Sequence, residues 1–142
     1  AVELGVKFRP LSSGFVTGVR FYKGGPANGG THVGSLWSTA GSLLARATFT
    51  NETASGWQTV TFATPVAVTA GTTYVVSYHA PQGGYSIDTN FFATAGVSNG
   101  PVELPSSSAS GGNGVYRYGA TPGFPSSSWN ASNYWVDVVF TP

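Results

Sequence analysis

The sequence has no cysteine. That excludes disulfides, thiolate metal sites and cysteine nucleophiles together. Charge is also scarce, with Asp, Glu, Lys and Arg making up 8% of residues, about a third of the ~25% usual in soluble domains. The six Lys and Arg residues are scattered singly and the formal net charge is +1, so there is no clustered basic face of the kind that nucleic-acid binding needs. No apolar run approaches the roughly 20 residues of a membrane helix, and no signal-peptide pattern opens the chain. Helical periodicity is almost absent. A secreted eukaryotic domain of this size would often carry disulfides, whereas an exported bacterial one need not.

The chain offers 142 residues, 41% hydrophobic and 14% aromatic. That is about one domain, enough to bury roughly two-thirds of its unfolded surface. Short alternating runs of Val, Thr, Phe, Tyr and Trp lie between Gly, Pro, Asn and Ser, the pattern of strands and turns. Strands are predicted at Leu4–Arg9, Phe15–Lys23, Gly34–Ser38, Leu43–Thr50, Gly56–Phe62, Pro65–Val68, Thr73–His79, Val115–Tyr118 and Tyr134–Thr141.

The alternation also assigns faces. Leu4, Val6 and Phe8 point one way, Val19 and Phe21 oppose Arg20 and Tyr22, Val60 and Phe62 oppose Thr59 and Thr61, and Tyr134, Val136, Val138 and Phe140 oppose Trp135, Asp137 and Val139. One oily and one wetter face per strand defines an all-β, antiparallel β-sandwich, here expected to be of jelly-roll type. A single module over residues 1–142 is expected. Because Ala1 opens directly into strand-like alternation, it reads as one cut from a larger secreted protein.

Residues 81–133 behave differently, being rich in Gly, Ser, Pro and Asn but punctuated by aromatic rings. Long loops in a compact domain are usually functional or disordered. The stretch from Pro105 to Asn113 reads as mobile, and its ring-bearing neighbours either as a binding surface or as anchors that pack the loops onto the sandwich, the packing reading being favoured for Phe91, Phe92 and Tyr118. Sugar rings lay their C–H faces on Trp and Tyr, which combine wide apolar area with a polar handle. On this reading His79, Tyr85 and Trp129 supply stacking and hydrogen bonds, while Asp88, Arg117 and Asn130 orient hydroxyls.

A structural calcium is a further expectation, since Ca²⁺ takes several oxygen ligands. Glu3 and Asp137 lie on terminal strands that commonly pair in jelly rolls. The Gly- and Asn-rich turn carrying Lys23, Asn28 and Thr31 would add oxygens beside them. The competing reading pairs Asp137 with Arg9 or Arg20. Catalysis is not expected: the five acids, Glu3, Glu52, Asp88, Glu103 and Asp137, sit in no catalytic motif, and His32 and His79 lack metal or nucleophile spacing.

Specific strings carry a resemblance. Val2-Glu-Leu-Gly-Val-Lys-Phe-Arg9, Thr17-Gly-Val-Arg-Phe-Tyr-Lys-Gly24 and Gly30-Thr-His-Val-Gly-Ser-Leu-Trp37 are three of them. Ala54-Ser-Gly-Trp-Gln-Thr-Val-Thr-Phe62, Ala70-Gly-Thr-Thr-Tyr-Val-Val-Ser-Tyr-His79 and Asn133-Tyr-Trp-Val-Asp-Val-Val-Phe140 complete the set. Together they resemble the domain-of-unknown-function family numbered four-thousand-eighty-two over nearly the whole chain. The resemblance implies a module of secreted or surface-attached bacterial proteins, joined covalently to neighbouring modules. The expected function is non-catalytic binding of a polysaccharide or oligosaccharide, which targets a parent enzyme or surface protein, without membrane insertion or nucleic acid. The alternative is a structural spacer or adhesion domain with no small ligand.

Overall fold

In a computed structural model describing residues 1–142, the alternating runs form strands. They are β1 (Val2–Pro10), β2 (Gly14–Lys23), β3 (Val33–Ser38), β4 (Leu43–Thr48), β5 (Gly56–Val68) and β6 (Tyr74–Ala80). The second half adds β7 (Val97–Asn99), β8 (Val102–Leu104), one helical turn α1 (Ser107–Ser110), β9 (Val115–Tyr118), β10 (Ser127–Ser128) and β11 (Val136–Thr141). A large sheet runs β10-β9-β1-β6-β3-β4, with the β7–β8 hairpin attached beside the end of β1, and a small sheet runs β11-β2-β5. All pairings are antiparallel. The chain passes between the sheets at β1–β2, β2–β3, β4–β5, β5–β6 and β10–β11, so sheet neighbours are mostly distant in sequence, as in a jelly roll. No helix is long and apolar enough to cross a membrane.

The inner faces are those the alternation assigns. Leu4, Val6 and Phe8 from the large sheet meet Val19, Phe21, Val60, Phe62, Val136 and Val138 from the small one. Phe21 stacks on Tyr78 with ring centroids 4.1 Å apart and meets Phe49 edge-on at 5.0 Å. Each such side chain contributes roughly 1.5–3 kcal/mol by leaving water.

Three expectations change. The predicted strands 56–62 and 65–68 are one strand, β5, with a register shift against β2 between Val16 and Gly18. Pro65 is tolerated because β5 is an edge strand and needs no donor there. β7, β8 and β10, at two or three residues each, are too short to show alternation. The stretch from Pro105 to Asn113, read as mobile, is pinned. Ser106 caps α1 by accepting from the Ala109 N–H. The buried Asn113 side chain accepts from the Lys7 and Gly114 N–H groups and donates to the Lys7 and Pro105 carbonyls.

The outer faces of the two sheets differ in cover. On the large sheet, residues 119–125 form a roof: Phe124 meets Trp37 edge-on at 5.6 Å, and Pro125 sits close over Gly5. Every residue of β6 is therefore buried. On the small sheet, β2 and β5 keep their outward side chains largely exposed.

Candidate functional site

Register places a row of rings across the outer face of the small sheet. Tyr22 is directly opposite Trp57 on β5, and on its other side the Tyr22 N–H donates to the Trp135 carbonyl at 2.9 Å. Trp135, Tyr22 and Trp57 thus occupy three adjacent positions, spaced by the roughly 4.8 Å between strands. The next row is Asp137, Arg20 and Thr59. Arg20 donates to the Asp137 carboxylate at 2.8 Å, and its guanidinium carbon lies 4.6 Å from the Trp57 ring centroid. One ion pair therefore orients one indole.

Two hollows flank this row and share Trp57 and Trp135. One, of about 460 Å³, reaches the β7–β8 hairpin past Phe91 and Asn99; the other, of about 510 Å³, reaches Ser86, Ile87 and Asp88. Both fall in the size range of ligand pockets. Trp57 is 44% and Tyr22 41% exposed, so the rings are available to a partner.

Trp135 is held in an unfavourable backbone conformation, with φ at 55°. The left-handed region is a genuine outlier for so bulky a residue and costs on the order of 1–3 kcal/mol. Hydrogen bonds hold it there. Its N–H donates to Asn133 Oδ1 and its indole Nε1–H to Asp88 Oδ2, both at 2.8 Å, while Asp88 and Asn133 exchange backbone bonds at 2.9 Å. The effect is that Tyr134 turns into the core and Trp135 out onto the small-sheet face.

A second aromatic concentration lies at the β9 edge. Tyr85, Tyr116, Tyr118, Trp129 and Tyr134 enclose a cleft of about 260 Å³ with Val2 and Leu4 at its floor. Tyr85 meets Tyr134 edge-on at 5.6 Å, and Tyr116 meets Tyr118 at 5.4 Å.

The six residues expected to hold sugar are thus divided. Tyr85 and Trp129 come together in the tyrosine cleft. Asp88 stands on the small-sheet side, bound to Trp135. His79 is buried, with Nε2 2.9 Å from the Gly119 carbonyl. Arg117 lies against Gly119 and Gly123, so both residues brace the roof. Asn130 is exposed in a left-handed turn, where its carbonyl accepts from Asn90. Trp57, Tyr22 and Trp135 form the surface that loop-centred reasoning misses. The signal was present, because the alternation already turns Arg20, Tyr22 and Trp135 outward.

The residues expected to bind calcium are not assembled. β1 and β11 belong to different sheets, and Glu3 and Asp137 point from their opposite outer faces, with the whole sandwich between them. Asp137 is paired with Arg20, and Arg9 with Glu103. The Lys23 ammonium is 2.8 Å from Glu52, whose carboxylate lies 2.7 Å from His32 Nδ1. Asn28 is committed to His32 and Tyr78, and Thr31 is exposed. No group of three or more His, Asp or Glu side chains gathers at one point. Burial pushes His32 below its ordinary range. Burial works to raise Glu52, but Lys23 and His32 outweigh it and hold the carboxyl low.

Glu3 is fully buried beneath the roof, accepting from the Ser77 hydroxyl at 2.6 Å and the Gly123 N–H at 3.4 Å. Burial raises its pKa to about 7, against those hydrogen bonds and the nearby Arg46 and Arg117. Trp37 donates to the same Ser77 hydroxyl at 2.8 Å. A hollow of about 480 Å³ remains between roof and α1. There Lys7 is bound to the Ser110 carbonyl and Arg9 to Glu103.

Fold and surface together define an antiparallel β-sandwich domain with one roofed sheet and one bare, ring-bearing sheet. The chain belongs to the family described as Domain of unknown function (DUF4082), which matches residues 1–136. No curated protein and no solved structure matches it.

Proposed function

We propose that the domain is a non-catalytic carbohydrate-binding module, secreted or displayed on a bacterial surface, that holds its parent protein to a polysaccharide through the outer face of the small sheet. The observation that carries this reading is the row Trp135–Tyr22–Trp57 beside the Arg20–Asp137 pair. Indole and phenol faces accept the apolar C–H side of a sugar ring. Arg20, Asp137, Asn99 and Asn133, which line the same groove, offer polar groups for hydroxyls. The hydrogen bonds that hold Trp135 in its strained turn also prepare the platform, reducing the ordering cost on binding.

All five carboxylates are engaged within the fold, Glu3 with Ser77, Glu52 with Lys23, Asp88 with Trp135, Glu103 with Arg9 and Asp137 with Arg20. That favours holding a glycan over hydrolysing one, which needs two carboxyl groups facing one bond.

Affinity electrophoresis through plant, fungal and bacterial polysaccharides tests the reading. Retardation on at least one of them, about tenfold weaker in Trp57→Ala, is the expected result. A blank across the panel would leave a structural spacer or adhesion domain.

A further inference from the structure

We propose that the tyrosine cleft is a second, separate site: an aromatic cage for a quaternary ammonium group of the choline type. Its lining is five rings and two aliphatic side chains, with no carboxylate, amide or cationic group among them. The rings come from separate parts of the chain. Tyr85 is on the loop after β6, Tyr116 and Tyr118 are on β9, Trp129 follows β10, and Tyr134 precedes β11. Two pairs stand steeply to each other, at 78° for Tyr85 and Tyr134 and 63° for Tyr116 and Tyr118. Rings packed in parallel would make a stack, whereas rings set at steep angles make the walls of a box. Leu4 and Tyr134 are buried at the base, and Trp129 and Tyr118 are 52% and 72% exposed at the mouth.

The occupant follows from what such walls attract. A cation gains from the negative faces of several rings at once, the means by which quaternary ammonium ligands are held. A trimethylated nitrogen has no N–H to satisfy, so it asks for no directed acceptor from a lining without carboxylates or amides. A primary ammonium is strongly hydrated and wants oxygen partners. A pyranose would leave several hydroxyls for phenols alone to match, and unmatched polar groups are costly to bury. The volume of about 260 Å³ lies just below the ~300 Å³ at which ligand pockets usually begin. It suits one compact headgroup rather than a glycan chain.

Tyr134 is pushed up to about 12, first by burial and then by the neighbouring Tyr85, with Tyr116 and Tyr118 adding to it. The raised value keeps the Tyr134 phenol un-ionised at neutral pH, so what it offers a cation is its ring face.

The test is titration of the intact domain with choline, followed by the Trp129 indole N–H resonance and by calorimetry, with ethanolamine and glucose as controls. Saturable choline binding is expected, with ethanolamine at least tenfold weaker and glucose silent at Trp129. Trp129→Ala and Tyr118→Ala alter exposed rings and should fold. Each is expected to weaken choline at least tenfold while polysaccharide retention persists. Tyr85→Phe keeps the ring face and should retain most of the affinity. No saturable response to choline would overturn the proposal, as would equal binding of ethanolamine. A glucose response at Trp129 without one to choline would overturn it too, making the cleft a sugar subsite.

Discussion

The two outer faces of the sandwich start from similar material and end differently. The large sheet turns Trp37, Glu3, Arg46 and His79 outward, and the small sheet turns out Trp57, Tyr22, Trp135, Arg20 and Asp137. On the large sheet the chain supplies its own partner, since residues 119–125 cover Glu3, Ser77 and Trp37 and build a second small core around Val75 and Val115. On the small sheet the polar pairs serve to orient exposed rings. Exposure of an outward ring is thus decided by what a distant loop does, and the face left bare is the one available to a partner.

The sharpest way to break this contrast is through Glu3. Its carboxyl titrates at about 7 in the fold against an ordinary value of 4.5. Because the folded value is the higher, the native chain retains a proton that the unfolded chain releases between those two pH values. The contribution to stability is complete below the lower value and lost as pH rises through the upper one, a change of about 3 kcal/mol. Denaturant unfolding across this window should show the loss in the wild type, and Glu3→Gln should remove that share of it. Identical pH profiles for the two proteins would mean that the roof does not bury the group.

Phe124→Ala attacks the roof itself and should cost about 2 kcal/mol, less than a fully buried Phe, read as a lower Tm with polysaccharide retention intact. Trp57→Ala on the bare face should do the reverse, weakening polysaccharide binding about tenfold, or ~1.4 kcal/mol, with little change in Tm. Asp137→Asn has the smallest effect. It removes an ion pair whose side chains are 40% and 29% exposed, so less than about 1 kcal/mol is expected, along with a weaker salt dependence of unfolding.

Much of the architecture was readable from period-two alternation, because burial on one face imposes it residue by residue. Val19 against Arg20 and Val136 against Asp137 are examples. The long β5 was misread at Pro65 because sequence alone does not reveal that the strand lies at an edge. Asn113 falls in the stretch read as mobile, since its partners at Lys7 lie on the neighbouring strand β1, 106 residues away in sequence. The same non-locality hid the bare face. Outward rings at Tyr22, Trp57 and Trp135 are visible one strand at a time, but their union into a row depends on the order β11-β2-β5. Glu3 and Asp137 fail as a pair for the same reason, because the two terminal strands lie in different sheets.

The four tryptophans report on the regions separately, with Trp37 under the roof, Trp57 and Trp135 on the bare sheet and Trp129 at the tyrosine cleft. Titrating ¹⁵N-labelled domain with an oligosaccharide from a retained polysaccharide, while following the indole N–H resonances, tests the central claim most directly. The Trp57 and Trp135 signals should move together and saturate while Trp37 stays still. Saturable binding that leaves both of those signals in place would contradict the assignment of the small-sheet face as the binding surface.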